Sequence, residues 1–354
     1  MLSTIISDLG LYFMDDGWAR FGLAFIIAFF VMTMFGTKFI HSMHRLQKKG
    51  QPIRKDGPQT HLEKQGTPTM GGILLIIAIL AGSLLSMEWS GFMQWIALFA
   101  LVSFGAIGFA DDFGKIKKNS AYAGLSAKLR LGIGFLLSIG IAFAVNYSMP
   151  AYLPEYSIAI PGGFILPVGT ALYFLFAYLV IAGSANATNI TDGLDGMLAK
   201  IILPIITVLT IAVFGATNLG FFETGVFIPE AVVLYPLLGA LAGALLGFLW
   251  FNGAPASIFM GDVGSLAIGG MLGTIAMLLK VEIVYGIAAL MMVIILASTF
   301  LQILVYKLTK KRLFLMAPLH HHFEQKGWSE TKISERFFIL SIVFGLLALG
   351  LLKI

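Results

Sequence analysis

Ten apolar stretches, each about 20 residues long, run through this chain of 354 residues, and nothing constrains its fold more. Their cores lie near 21–40, 70–87, 92–110, 131–147, 166–183, 198–216, 231–251, 265–279, 283–306 and 336–352. Inside a bilayer no water satisfies the backbone, so stretches of this length are read as spanning helices. The fifth and eighth are the weakest, because glycine and proline interrupt them or they run short. Composition agrees: 12% of residues are charged, against about 25% in an ordinary soluble chain. The expected fold class is all-α, a polytopic membrane protein of about ten transmembrane helices forming a single integral membrane domain over residues 1–354. Residues 1–20 contain Asp8, Asp15 and Asp16 and lack a basic n-region, so they read as an interfacial lead-in rather than a cleaved signal. The chain has no cysteine, which excludes disulfides and thiol catalysis.

Ten spans place both termini on one side of the membrane. The odd-numbered loops, 41–69, 111–130, 184–197, 252–264 and 307–335, hold 17 of the 23 Lys and Arg residues. The positive-inside rule makes those loops cytoplasmic and both termini external, or periplasmic. Asp56, Asp111, Asp112, Asp192, Asp195 and Asp262 all fall on the same face, as do His320, His321 and His322. Carboxylates gathered at a membrane surface are a natural seat for a divalent cation and a phosphate-bearing substrate.

Asp111 and Asp112 end the third span, where two negative charges meet the negative end of a helix dipole at a cost of about 0.3–1 kcal/mol each. A bound cation, or Lys115 one turn on, would offset that cost; a solvated interfacial pair is the plainer alternative. The segment Asn186-Ala-Thr-Asn189-Ile-Thr-Asp192-Gly-Leu-Asp195-Gly196 brings two amides and two carboxylates with no Lys or Arg to neutralise them. That density of oxygen donors suits a hard cation such as Mg2+ or a polyhydroxyl ligand, and a capped turn accounts for only one or two of the side chains. Asp262 opens the eighth span, where it is either a functional carboxylate or a helix N-cap. Asn252 lies near the same surface. In Met316-Ala-Pro-Leu-His320-His321-His322, metal binding and diphosphate contact by imidazole are both open, and the neighbouring Lys307, Lys310, Lys311 and Arg312 favour phosphate. The run Gly66-Thr-Pro-Thr-Met-Gly-Gly72 either cradles an anion with its backbone N–H groups or simply turns into a helix. Gly239, Gly243 and Gly247 mark a close helix-packing face, with a dimer contact as a second use.

Five of these segments, taken in order, resemble a known family. Gly66-Thr-Pro-Thr-Met-Gly-Gly72, Asp111-Asp112-Phe-Gly-Lys115, the Asn186–Gly196 segment, Phe259-Met-Gly-Asp-Val-Gly-Ser265 and Ala317-Pro-Leu-His-His-His322 are similar to those of the phospho-N-acetylmuramoyl-pentapeptide-transferases. These belong to the polyprenyl-phosphate N-acetylhexosamine-1-phosphate transferase superfamily. The resemblance covers roughly residues 45–336. It implies transfer of phospho-MurNAc-pentapeptide from UDP-MurNAc-pentapeptide to undecaprenyl phosphate, giving lipid I and UMP, the first membrane step of peptidoglycan synthesis. It further implies Mg2+ as cofactor, a location in the bacterial inner membrane with the site on the cytoplasmic face, a homodimer, and no nucleic-acid partner. By resemblance Asp262 is the Mg2+ ligand and acts catalytically with Asp111 and Asp112. Asn186, Asn189, Asp192, Asp195, Asn252, His320, His321 and His322 are implied substrate-binding residues, with Lys64, Lys115 and Lys128 as phosphate partners. The chain departs from the family pattern early in the ninth span, where Val293–Ala297 lacks an acid, and at Thr188 and Ile190.

Two other readings compete. One is a sister transferase that takes another UDP-sugar, such as UDP-GlcNAc. The other is a transporter or lipid flippase, since broken helices and intramembrane charge mark transport paths; the near absence of charge from the span centres argues against it.

Overall fold

A computed structural model describes residues 16–47, 50, 64, 66–120, 123–162, 164–218 and 226–353. Asp56 and most of the interfacial lead-in lie outside these residues. The helices are α1 (Gly17–Leu46), α2 (Gly72–Ser86), α3 (Phe92–Lys117), α4 (Ala127–Ser148), α5 (Thr170–Thr191), α6 (Met197–Thr217), α7 (Tyr235–Asn252), α8 (Gly261–Leu278), α9 (Glu282–Ala288), α10 (Leu290–Thr309), α11 (Leu319–Gln325) and α12 (Glu330–Lys353). Among the described residues, nine helical segments are long and apolar enough to cross a membrane, and α2 is a tenth apolar helix of 15 residues.

Helices appear at all ten expected positions, nine of them long and apolar enough to span, with three local differences. The fifth and eighth, weakest in the sequence, form helices of 22 and 18 residues. The second is the short one. Its first residues are held instead by a ladder to the segment before α8: Phe259 N–H donates to the Pro68 carbonyl, and the Gly71 and Gly72 N–H groups donate to the Phe259 and Met260 carbonyls, each at 2.9 Å. The ninth breaks at Ala289 into α9 and α10. Between α4 and α5 an antiparallel hairpin of β1 (Ser157–Ile160) and β2 (Phe164–Pro167) pairs Ser157 with Pro167 and Ile160 with Phe164, an element the apolar pattern does not reveal.

Helix α8 is the axis of the molecule. Of its apolar window 89% is buried, against 22% for α1 and for α10. Its neighbours α3 and α5 approach closely because small residues line the contacts. A Cβ at Gly108 of α3 would lie 2.1 Å from the Asp262 carbonyl oxygen, and one at Gly269 of α8 would lie 2.5 Å from the Ser184 carbonyl oxygen of α5. The glycine face of α7 is used within the chain. A Cβ at Gly239 or Gly243 would meet the Phe21 or Phe25 carbonyl oxygen of α1 at 2.2 and 2.1 Å. That face is therefore covered by α1 of the same chain.

Candidate functional site

Three carboxylates from two helices meet where α3 ends and α8 begins. Asp111 and Asp112 lie in the last turns of α3 and are almost fully buried; Asp262 lies in the first turn of α8. A carboxylate oxygen from each lies within 4.8 Å of the other two. Backbone donors from other elements orient the pair. Leu125 N–H donates to Asp111 Oδ1 at 2.8 Å, and Val263 N–H to Asp112 Oδ2 at 3.1 Å. Asn189 Nδ2, from the last turn of α5, donates to Asp262 Oδ1 at 2.8 Å and to Ser265 Oγ at 3.0 Å. Gly261 has φ of +76°, and a Cβ there would sit 2.5 Å from Asp112 Oδ2, so both the backbone conformation and the space call for glycine.

The centre holds two cations. Lys115 Nζ lies 2.6 Å from Asp111 Oδ2, 2.9 Å from Asp262 Oδ2 and 3.7 Å from Asp112 Oδ1. Arg130 Nη1 lies 3.5 Å from Asp262 Oδ2. Counted in their ionised forms, the three carboxylates exceed the two cations by one negative charge. The donor set is all oxygen, hard and anionic, so the cluster has the chemistry to hold a hard divalent cation.

Around this centre the remaining expected residues divide. Asp192 caps the C-terminus of α5. Burial, followed by the like charges of Asp262, Asp112 and Asp195, pushes its carboxyl up to about 8. Asp195 is buried; its Oδ1 takes the Lys64 ammonium at 2.7 Å and its Oδ2 takes Ala256 N–H at 2.9 Å. Asn252 is bonded to the backbone at both ends of its amide: its Oδ1 accepts Gly196 N–H at 3.0 Å and its Nδ2 donates to the Ile258 carbonyl at 2.8 Å. It braces two loops of the site. Asn186 Nδ2 donates to the Ala182 carbonyl one turn back. The Gly66–Gly72 run does not act as an open anion cradle, since its Gly71 and Gly72 N–H groups are committed to Phe259 and Met260.

The histidines sit on the short helix α11 and point differently. His320 is buried, its Nε2 at 2.2 Å from where a Gly193 Cβ would stand. His321 Nδ1 meets Glu324 Oε2 at 2.5 Å, and His322 Nδ1 accepts Leu315 N–H at 3.1 Å. Burial and the nearby Lys326 ammonium lower the His322 pKa, which favours the neutral ring.

Two lysine expectations shift. Lys64 is bonded to Asp195 and, at 2.6 Å, to Glu330 Oε2. Lys128 is exposed on the first turn of α4, and Arg130 is the residue of that turn that meets Asp262. Two residues apart on a helix means about 200° of rotation, so only one of them can face α8. Arg130, Ser265 and Glu330 escaped the sequence reading. The first lay beside a lysine that looked equivalent, and the last lay 266 residues from its partner.

Comparison with known sequences bears on this geometry. The family model described as glycosyl transferase family 4 matches residues 94–280, more than half of the chain. A phospho-N-acetylmuramoyl-pentapeptide-transferase signature matches residues 64–76. A phospho-N-acetylmuramoyl-pentapeptide-transferase of Ruegeria sp. strain TM1040 is 41% identical over 357 aligned positions, covering 99% of this chain and 98% of its own. Proteins of the same name from Ruegeria pomeroyi and Dinoroseobacter shibae are 41% and 42% identical, each covering 95% of this chain and 93% of its own.

Proposed function

The chain belongs to the phospho-N-acetylmuramoyl-pentapeptide-transferase family, and on that footing we propose that its three-carboxylate centre carries the phospho-sugar transfer that makes lipid I. The donor in this reading is UDP-MurNAc-pentapeptide, the acceptor undecaprenyl phosphate and the second product UMP. A lipid phosphate oxygen bonds to the sugar-bearing phosphorus. The phosphoanhydride bond to UMP breaks, and UMP leaves with the bridging oxygen and its electron pair.

The observation that carries this reading is the meeting of Asp111, Asp112 and Asp262 within 4.8 Å around one lysine ammonium. Phosphoryl transfer asks a protein for positioning and charge neutralisation more than for covalent chemistry. Asp262, with Asp111 and Asp112 beside it, would hold Mg2+, and the all-oxygen donor set fits that ion. Bound there, Mg2+ would polarise the donor diphosphate and stabilise the departing UMP. Lys115 and Arg130 supply cationic N–H donors at the same point, suited to phosphate oxygens. Asp111 and Asp112 are held by Leu125 and Val263 N–H, so each presents a fixed carboxylate to the acceptor. The acceptor attacks directly in this scheme, with the two aspartates orienting it. Asn189, bonded to Asp262, and Asp192, within its electrostatic reach, would contact the substrate at the centre, with His321 and His322 as further substrate contacts. The site belongs on the cytoplasmic face of the bacterial inner membrane, where a soluble nucleotide and a lipid phosphate can meet, and the family supports a homodimer.

The test is UMP release by purified protein in detergent, given UDP-MurNAc-pentapeptide and a short polyprenyl phosphate with either Mg2+ or EDTA. Turnover is expected with Mg2+ only, and Asp262→Asn should lower it on the order of a thousandfold. Release from UDP-GlcNAc but not from the MurNAc donor would move the chain to a sister reaction. A radiolabelled phospho-sugar trapped on an Asp-containing peptide would replace direct attack with a covalent route.

A further inference from the structure

Lys64 lies between two carboxylates from distant parts of the chain. Its Nζ is 2.7 Å from Asp195 Oδ1 and 2.6 Å from Glu330 Oε2. All three side chains are largely shielded, with 19% exposure for Lys64, 5% for Asp195 and 18% for Glu330. The other Asp195 oxygen is fixed by Ala256 N–H, and Asn252 ties the adjoining Gly196 to Ile258. Asp195 is thus held from both sides by a bracket whose outer end is Glu330.

Glu330 opens α12, and an acid in a first helical turn often does no more than favour the helix dipole. Here a different residue serves the helix end. Ser329 Oγ accepts Lys332 N–H and the Ser329 carbonyl accepts Ile333 N–H. The Glu330 carboxylate reaches away to Lys64. Its charge also has a specific effect: burial alone would lower the Lys64 pKa, and the two carboxylates outweigh it, keeping the ammonium charged. Two carboxylates around one ammonium give the bracket a net negative charge. It is therefore poorly suited to attract a diphosphate through Lys64 and well suited to fix Asp195 as an acceptor for the donor's N–H or O–H groups.

We infer that Glu330 is a positioning residue for the transfer reaction, acting through Lys64 to hold Asp195 in register for the nucleotide-sugar donor. The inference rests on the transferase reading above. It goes beyond that reading by placing the start of the last helix in the donor site, with Lys64 as a brace rather than a phosphate contact.

Steady-state kinetics on the full-length protein with Mg2+ test it, using Glu330→Gln, Glu330→Asp, Lys64→Met and the Glu330→Gln/Lys64→Met double variant. Glu330→Gln should raise the donor KM about tenfold, the scale of one charge-assisted hydrogen bond, while the acceptor KM stays within about twofold. Glu330→Asp, which keeps the charge, should recover most of the loss. In the Lys64→Met background the Glu330→Gln change should have no further effect on the donor. An unchanged or tightened donor KM would overturn the proposal. So would equal changes for both substrates, or the same loss with Lys64 absent. Equilibrium binding of the UDP-sugar donor to the four proteins gives the same comparison without turnover. If wild-type protein releases no UMP, the transferase reading fails, and the binding comparison still decides whether Glu330 acts through Lys64.

Discussion

Asp192 shows how single residues at this site are set by their surroundings. The carboxyl would titrate near 3.8 in an open chain and is pushed up to about 8 here, by burial and then by Asp262, Asp112 and Asp195. A folded state that holds a proton more tightly than the unfolded chain loses relative stability as pH rises between those two values. Metal-free protein in EDTA should therefore show a falling Tm as pH is raised from about 5 to about 8. Asp192→Asn, which cannot ionise, should flatten that slope and raise Tm most at the alkaline end. A Tm that climbs with pH in the wild type, or a slope unchanged by the substitution, would show that Asp192 is ionised in the fold throughout. The aspartates stood out one by one in the sequence, each with a bland alternative such as a helix cap or a solvated interfacial pair, and it is the number of them on one face that made them candidates. Their partners did not stand out. Arg130 and Lys128 share a short segment, and only the rotation of α4 decides which meets Asp262. Asn252 is expected from the sequence as a substrate contact, and its backbone bonds to Gly196 and Ile258 are invisible without the loop geometry.

At the scale of the elements, the site exists because α3 and α8 touch. Gly108 lies one turn before the Asp111–Asp112 pair, and a Cβ there would stand 2.1 Å from the Asp262 carbonyl oxygen and 2.5 Å from Val263 Cα. Both neighbours are backbone and cannot rotate away. Gly108→Ala should thus push the start of α8 outward by roughly 1 Å, a displacement that can cost about a hundredfold in rate. The protein should remain folded, because the deeper contacts of α8 with α5 at Gly269 and Gly273, and those of α1 with α7, do not involve Gly108. Gly140→Ala on α4, where nothing lies within 4 Å of the added carbon, is the matched control and should keep wild-type activity. Comparing UMP release and thermal unfolding of the two variants checks this; normal activity from Gly108→Ala would mean that the spacing of the three carboxylates is not rate-setting. Apolar run length alone located the nine long spans and the short α2, since a bilayer leaves so few backbone solutions. It could not locate the start of α2, where backbone groups of residues 68–72 pair with residues 259–260 from far along the chain. Nor could it find the hairpin at 157–167, whose strands are only four residues each.

For the whole molecule, the charge asymmetry of the loops orients everything else. The turn between α2 and α3 carries Glu88, paired with Arg20 at the start of α1, whereas the turn that ends α3 carries Lys115, Lys117 and the C-cap Lys118. By the positive-inside rule the second turn is expected on the cytoplasmic side, and with it the three-carboxylate centre. The absence of native cysteine makes a direct test simple, because any single introduced thiol is the only one present. Ser90 and Lys118 are exposed and lie beyond opposite ends of α3. A membrane-impermeant maleimide added to intact spheroplasts should label Ser90→Cys and leave Lys118→Cys unmodified until the membrane is opened. Both variants keep the site residues, so UMP release from each preparation shows that the labelled protein is the native form. The reverse labelling pattern would turn the molecule over and put Asp111, Asp112 and Asp262 on the side away from the soluble nucleotide pool. A transferase that draws its donor from that pool could not then work, and the functional reading would have to give way along with the topology.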